Sequence, residues 1–283
     1  MTARLTSYDH EGLTFDVLDE GPVDGDLVVL LHGFPERASC WRLVAPLLHA
    51  AGYRTLAPDQ RGYSPGARPP RRRDYTITHL AGDVAALVER AGGGAGRRAH
   101  VVGHDWGAIA AWAVATTRPD LVRTLTSVSV PHPQAFLGSL VRSSQALRSW
   151  YMAGFQVPWV PERLAARRGG VFDRALRGSG MPAEELERFR TEIVEHGALP
   201  GALAWYRALP FADRGLLRSP VTVPTTMVWS DGDHFVSGAS IDRTPQHVRA
   251  PYELVVLAGI DHWIPLHAPE ALAEAVLERA ASA

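Results

Sequence analysis

The chain lacks two reactive kinds of side chain almost entirely. Among its 283 residues there is one cysteine, Cys40, and no lysine, because all 29 basic residues are arginine. A single cysteine forms neither an internal disulfide nor a cysteine-based metal cluster. Without lysine there is no Schiff base, no pyridoxal-phosphate lysine and no P-loop lysine.

The chain also has no excess of charge of one sign and no long apolar run. The formal net charge is -1, which argues against nucleic acid as a partner. The longest apolar stretches, such as 27–31, are far shorter than the roughly 20 residues of a membrane helix. Residues 1–20 contain several carboxylates and no continuous apolar run, so no signal peptide is predicted. We therefore expect a cytoplasmic protein with no membrane partner.

Short apolar runs alternate with helical patterns along most of the chain. Such alternation predicts βαβ units and a parallel sheet, hence an α/β fold with helices flanking a mostly parallel sheet. The predicted strands lie at 26–31, 53–57, 99–102, 121–130, 225–229 and 253–257.

The alternation is interrupted once. From residue 131 to residue 220 the patterns are helical, with no convincing strand. The sequence thus predicts a core formed by residues 1–130 and 221–283, and a helical cap, or lid, formed by residues 131–220.

The segment Gly103–Gly107 (GHDWG) stands at the end of one predicted strand and the start of a helix. A nucleophile elbow has the pattern small-x-nucleophile-x-small, because its tight turn leaves no room for side chains two residues either side of the nucleophile. Asp105 occupies the position that serine usually takes. Two glycines at this spacing also occur in ordinary turns, so the surrounding sequence has to decide.

The chain order nucleophile, acid, histidine also fits such a site. Asp233 and His262 each follow a predicted strand, and open α/β sheets build their sites at the carboxyl ends of strands. Asp231 competes with Asp233 for the acid. Asp261 is a weaker candidate, because neighbours in a loop or strand usually point apart.

Four segments resemble the α/β-hydrolase fold and, within it, the epoxide hydrolase group. They are HGFP at 32–35, DQRGY at 59–63, GHDWG at 103–107 and GIDHW at 259–263. The acid motif WSDGD at 229–233 departs from the group's Trp-Gly-x-x-Asp pattern by Ser230, but its spacing favours Asp233.

The resemblance implies a role for each candidate. Asp105 would attack the substrate, His262 would be the base, and Asp233 would orient that base. The backbone amides of Phe34 and Trp106 would form the oxyanion hole. No metal site and no cofactor is implied.

In epoxide hydrolases two cap tyrosines donate hydrogen bonds to the epoxide oxygen. By motif, Tyr206 in WYR at 205–207 and Tyr151, five residues before Gln156, match these positions. Local packing of either tyrosine is the alternative. The candidate walls of the substrate pocket are Trp150, Phe155, Trp159 and Trp205.

The resemblance predicts an enzyme that converts small apolar epoxides and water into vicinal diols. A haloalkane or haloacid dehalogenase with the same aspartate is the alternative, although Phe34 stands where an amide side chain would suit a halide. No arginine stands beside Asp105 to bind a haloacid carboxylate. A ligand-binding relative without turnover is the third possibility, which the apparently complete triad disfavours.

Overall fold

The computed structural model describes residues 4–92, 96–140, 143, 145–213 and 215–283. In these ranges eight strands form one sheet in the order β1-β2-β4-β3-β5-β6-β7-β8. The strands are β1 Ser7–His10, β2 Leu13–Glu20, β3 Leu27–Leu31, β4 Arg54–Pro58, β5 Ala99–His104, β6 Val122–Val128, β7 Thr225–Ser230 and β8 Tyr252–Leu257.

Every strand pair from β4 to β8 is parallel, whereas β1, β2 and β4 pair antiparallel at one edge. The predicted α/β fold with a mostly parallel sheet is therefore confirmed. Because β3, β5 and β7 run in one direction, the loops that follow them open at the same edge of the sheet.

Helices cover both faces of the sheet and fill the segment between β6 and β7. They are α1 Ala45–Ala50, α2 Ile77–Gly92, α3 Trp106–Thr117, α4 Pro133–Leu140, α5 Gln145–Arg148, α6 Tyr151–Gly154, α7 Val160–Ala166, α8 Val171–Gly178, α9 Ala183–Arg188, α10 Leu199–Ala208, α11 Gly238–Ile241, α12 Ile264–His267 and α13 Pro269–Ala281. A π-helical turn, Phe189–Glu195, continues α9, and short 3₁₀ turns occur at Ala38–Leu43, Pro65–Ala67, Arg72–Tyr75, Leu209–Phe211 and Thr244–His247.

Strand β3 is apolar and buried at every position because the sheet is covered on both faces. In β3, Leu27, Val29 and Leu31 belong to one hydrophobic cluster, while Val28 and Leu30 belong to the other. This is the alternation that a two-sided parallel strand requires. The first cluster includes α2 and α3, and the second includes α1 and α13.

The helices α4 to α10 lie between β6 and β7, where the sequence predicts a cap. Three contacts hold the last two helices of this segment, α9 and α10, against the rest of the chain. Glu185 pairs with Arg42, the Trp205 indole donates to the carbonyl of Arg61 at 2.7 Å, and α10 crosses the loop after β4 at Gly62 and Gly201. A Cβ on Gly201 would lie 2.5 Å from the Gly62 carbonyl oxygen, so only glycine permits this approach.

The sequence patterns missed β1 and β2. The division into core and cap at residues 131 and 220 stays a prediction, and its ranges include residues that the structure does not describe. None of the helices in the described ranges is both long and apolar enough to cross a membrane.

Candidate active site

Asp105 lies in a sharp turn between β5 and α3. Its backbone has φ 52° and ψ -121°, a region that costs a non-glycine residue on the order of 1–3 kcal/mol. Glycines make room for this turn. A Cβ on Gly103 would overlap the backbone of Gly107, and a Cβ on Gly107 would overlap the carbonyl of Leu31. The turn has the strained geometry of a nucleophile elbow.

One backbone amide donates directly to the Asp105 carboxylate, and a second lies at the start of the following helix. The amide of Phe34 donates to Oδ1 at 2.8 Å, and Gly33 brings this loop so close that a Cβ there would collide with Asp105. Trp106 is the first residue of α3. Its amide is one of the donors that a helix leaves unpaired at its N-terminus.

His262 lies between two carboxylates. Its Nε2 is 3.5 Å from Oδ2 of Asp105, and its Nδ1 is 2.8 Å from Oδ2 of Asp233. The other oxygen of Asp233 accepts from the amides of Phe235 at 2.7 Å and Val236 at 3.0 Å. The side chains of Asp105, His262 and Asp233 thus lie together.

The two carboxylates determine the charge of His262. Burial disfavours the imidazolium, but the attraction of Asp233, with contributions from hydrogen bonds to Asp105 and Asp233, raises the pKa of His262 to about 10. Burial would raise the pKa of Asp105, yet the hydrogen bond and the charge of His262 lower it below its usual value. At neutral pH the pair is imidazolium and carboxylate.

The two alternative acids, Asp231 and Asp261, form hydrogen bonds with groups other than His262. Asp231 accepts from the amide of Gly259 at 2.6 Å and is exposed. Asp261 accepts from the amide of Trp263 and lies 2.9 Å from Nδ1 of His267. Asp233 is thus the carboxylate that contacts His262 from the side opposite Asp105.

Two tyrosines on helices between β6 and β7 lie near Asp105. Tyr151 begins α6 and Tyr206 lies in α10, and their ring centroids are 6.2 Å apart. Both line each of two cavities of about 550 Å³, and so does Asp105. The carboxylate and the two phenols therefore face the same space.

Both phenols keep their protons well into the alkaline range. Burial, followed by the negative charge of Asp105, raises the pKa of Tyr151, and a hydrogen bond with Tyr206 acts in the opposite direction. Burial, with Tyr151 and Asp105, likewise raises the pKa of Tyr206 far above its ordinary value. Each hydroxyl is therefore available as a hydrogen-bond donor.

Comparison with known proteins agrees with this geometry. A family model described as alpha/beta hydrolase fold matches residues 26–269. The chain belongs to the alpha/beta hydrolase family. It is 35% identical over 273 residues to the AB hydrolase superfamily protein YfhM of Bacillus subtilis, with 94% of each chain covered.

Epoxide hydrolases are among the relatives of this hydrolase. Epoxide hydrolase A of Mycobacterium tuberculosis is 31% identical over 322 aligned positions, which cover 98% of this chain and 96% of the relative. The structure of potato (Solanum tuberosum) epoxide hydrolase I superposes with a TM-score of 0.81 at 26% identity, with 98% of both chains covered. Within its family, the hydrolase belongs to the epoxide hydrolase group.

The structure corrects two of the four predicted pocket walls. Trp150 and Phe155 line the first cavity, but Trp159 and Trp205 line neither of the two described above. Successive helical residues point about 100° apart, so Trp205 faces the core when Tyr206 faces the cavity. Trp159 precedes α7 and is 72% exposed.

Several residues of the site escaped the sequence patterns. Phe235 lines both cavities, with its ring 4.9 Å from that of His262. His104 contacts the carbonyl of His262 at 2.9 Å, and its other ring nitrogen is 3.2 Å from Glu36. Arg148 donates to the carbonyl of Asp233 at 2.6 Å. The sequence offered one signal for two of these residues. Phe235 lies two residues after Asp233, and His104 directly precedes Asp105.

Removal of the charge of Asp233 tests which acid acts on His262. In Asp233→Asn the strongest attraction that stabilises the imidazolium is lost, so the pKa of His262 falls below its value of about 10 in the parent. A loss of about 1.4 kcal/mol of interaction lowers the pKa by one unit. The measurement is an NMR titration of the His262 ring.

Asp231→Asn is the matched control, because it removes the same charge two residues away, where the side chain bonds to Gly259. It should leave the titration of His262 unchanged. An equal shift in both variants, or a shift in Asp231→Asn alone, would contradict the assignment.

Proposed function

We propose that this hydrolase converts apolar epoxides into vicinal diols through a covalent ester on Asp105. The observation that carries the proposal is the position of an ionised carboxylate opposite two protonated phenols, Tyr151 and Tyr206, in one apolar space. Epoxide opening needs both a nucleophile and a proton donor, because the nucleophile attacks a ring carbon while the ring oxygen takes a proton.

In the first step an oxygen of Asp105 forms a bond to one oxirane carbon. The carbon–oxygen bond on the far side of that carbon breaks, and its electron pair goes to the oxygen. Tyr151 or Tyr206 donates a proton to this alkoxide. The product is a hydroxyalkyl ester of Asp105, and covalent catalysis of this kind divides one hard step into two easier ones.

The proton that restores the phenol comes from His262. Two of the interactions that raise the pKa of His262 involve Asp105, and esterification removes the charge of Asp105. The imidazolium therefore becomes a stronger acid as the ester forms. The resting ion pair is converted into a neutral ester and a neutral imidazole.

In the second step the neutral His262 takes a proton from water, and the hydroxide attacks the ester carbonyl. The amides of Phe34 and Trp106 stabilise the oxyanion, as preorganised donors do in acyl transfer. When the diol leaves, the carboxylate and the imidazolium return together. Atoms and charge balance over the cycle, and one water is consumed.

The alternative of a dehalogenase uses the same carboxylate. A halide leaves without a proton, so neither phenol would act as a proton donor in that reaction. The epoxide reaction accounts for Asp105, His262 and both tyrosines, and we prefer it for this reason.

Replacement of His262 by glutamine should trap the ester. The variant His262→Gln still forms the bond from Asp105 but lacks the base that activates water, so the protein mass increases by that of one epoxide. The measurement is intact mass after incubation with 1,2-epoxyhexane, followed by location of the adduct on the peptide that contains Asp105.

His267→Gln is the control, since His267 contacts Asp261 rather than Asp105. It should turn over without an adduct. The absence of any adduct in His262→Gln would count against covalent catalysis. An adduct from 1-bromohexane but none from the epoxide would establish the dehalogenase instead.

The two steps should respond differently to pH. Asp105 and the His262 imidazolium keep their resting charges between about pH 6 and pH 9, so alkylation is constant there. Hydrolysis of the ester requires neutral His262, so its rate constant rises with pH toward a pKa below 10. Rapid-quench measurement of both rate constants tests this, and a hydrolysis step that slows as the pH rises would contradict it.

A further inference from the structure

Exposed apolar side chains are concentrated on the segment between β6 and β7. Of the fourteen large apolar side chains that are exposed in the described residues, seven lie between residues 147 and 171. Six of the seven also line the first cavity, so they surround its opening, and the seventh is their neighbour in the chain. These seven residues, here called the rim, are Leu147, Trp150, Val157, Trp159, Val160, Leu164 and Val171. A continuous exposed apolar area of this kind marks a contact surface.

Two of the most exposed members of the rim are tryptophans. Trp150 is 75% exposed, and Trp159 is exposed to a similar extent. The backbone of Trp159 has φ 62°, a left-handed conformation that bulky residues rarely adopt. Because its indole lies in solvent, packing does not account for this conformation. Indoles presented in this way are typical of surfaces that meet the interface between water and lipid.

Positive charge lies beside the rim. Residues 160–178 contain five arginines and two carboxylates. Both carboxylates pair with arginines outside this segment, Glu162 with Arg207 and Asp173 with Arg190. The carboxylates therefore do not neutralise the arginines of the segment itself.

Three of these arginines, Arg163, Arg167 and Arg174, are exposed and form no ion pair with any of the described residues. Two of them share a face of α7 with the rim. Val160, Arg163, Leu164 and Arg167 follow at the i, i+3, i+4, i+7 spacing of one helical face, and all four are exposed. This face is both apolar and cationic.

We infer that the rim and its arginines dock on the surface of an anionic lipid bilayer. The rim side chains enter the boundary between headgroups and acyl chains, while the guanidinium groups contact the anionic headgroups. Nucleic acid matches the arginines but leaves the rim in water. A protein seated on the rim closes the cavity, whereas a fluid bilayer leaves it open to solutes dissolved in the lipid.

Docking of this kind is compatible with the short apolar runs of the sequence. The prediction of no membrane partner came from those runs, which are too short for a spanning helix. Surface docking needs no such run, because one face of an exposed helix is buried only about 5–10 Å deep. The inference goes beyond the proposed function and does not depend on it.

Co-sedimentation with vesicles tests the inference on the full chain. The protein is mixed with vesicles of phosphatidylcholine alone, or of phosphatidylcholine and phosphatidylglycerol in equal amounts. Each arginine near an anionic surface contributes about fivefold to binding, so at low salt the partition coefficient should be at least about tenfold higher on the anionic vesicles. It should fall as added salt screens the charges.

Variants separate the charged contribution from the apolar one. Arg163→Gln combined with Arg167→Gln should lower the partition coefficient on anionic vesicles by about 25-fold. Trp159→Ser should lower it by about tenfold, because it removes a large buried apolar side chain, and Trp159→Phe should restore most of the loss. These residues line neither cavity, and the melting temperature without lipid checks that each variant is folded.

Arg97→Gln combined with Arg98→Gln is the matched control. Both arginines are exposed and form no ion pair in the described part of the chain. They precede β5, at the end of that strand opposite Asp105. This variant removes the same charge and should keep the partition coefficient of the parent.

Two vesicle results would overturn the inference. One is equal binding to both kinds of vesicle, and the other is an effect of Arg97→Gln with Arg98→Gln as large as that of Arg163→Gln with Arg167→Gln. Sedimentation velocity without lipid tests a second copy of the chain as the occupant. A dimer that Trp159→Ser dissociates would show that the rim binds its own kind, and it too would overturn docking on lipid.

Discussion

The ion pair between His262 and Asp105, backed by Asp233, is the interaction on which the rest of the site depends. It keeps a buried carboxylate ionised in apolar surroundings, where burial alone would favour the neutral acid. It also stores a proton at His262. Esterification of Asp105 cancels one charge of the pair and thereby releases that proton, so the same contact serves both halves of the proposed reaction.

The fold positions this pair with closely packed backbone. Parallel strands bring Asp105, Asp233 and His262 to one edge of the sheet, and glycines at 33, 103 and 107 allow backbone to approach where a methyl group would collide. Helices α6 and α10 supply the two phenols, and α10 is held against the loop after β4 by the crossing of Gly62 and Gly201 and by the Trp205 indole. Rigid placement of this kind is what preorganised electrostatic stabilisation needs.

Much of this arrangement could be predicted from the sequence because local patterns encode it. Short apolar runs indicate the central strands, and the paired glycines indicate the elbow. The strand β2 was missed although Phe15 and Val17 alternate with exposed residues, because acidic residues such as Asp19, which is buried against Arg54, obscure the apolar signal. Tertiary packing decides which face of α10 is turned to the cavity, and no local pattern contains that information. For this reason Trp205 was wrongly predicted to line the pocket. The meeting of two cavities at Asp105 likewise depends on how the helices between β6 and β7 pack on the rest of the chain.

The most direct test of the central claim is a single turnover in H₂¹⁸O with enzyme in excess over a reactive epoxide. The covalent route predicts that the diol from this first turnover contains no ¹⁸O and that the label appears in the carboxylate of Asp105, since water attacks the ester carbonyl. Label in the diol, with none in the peptide of Asp105, would show that water attacks the epoxide directly and would contradict the account.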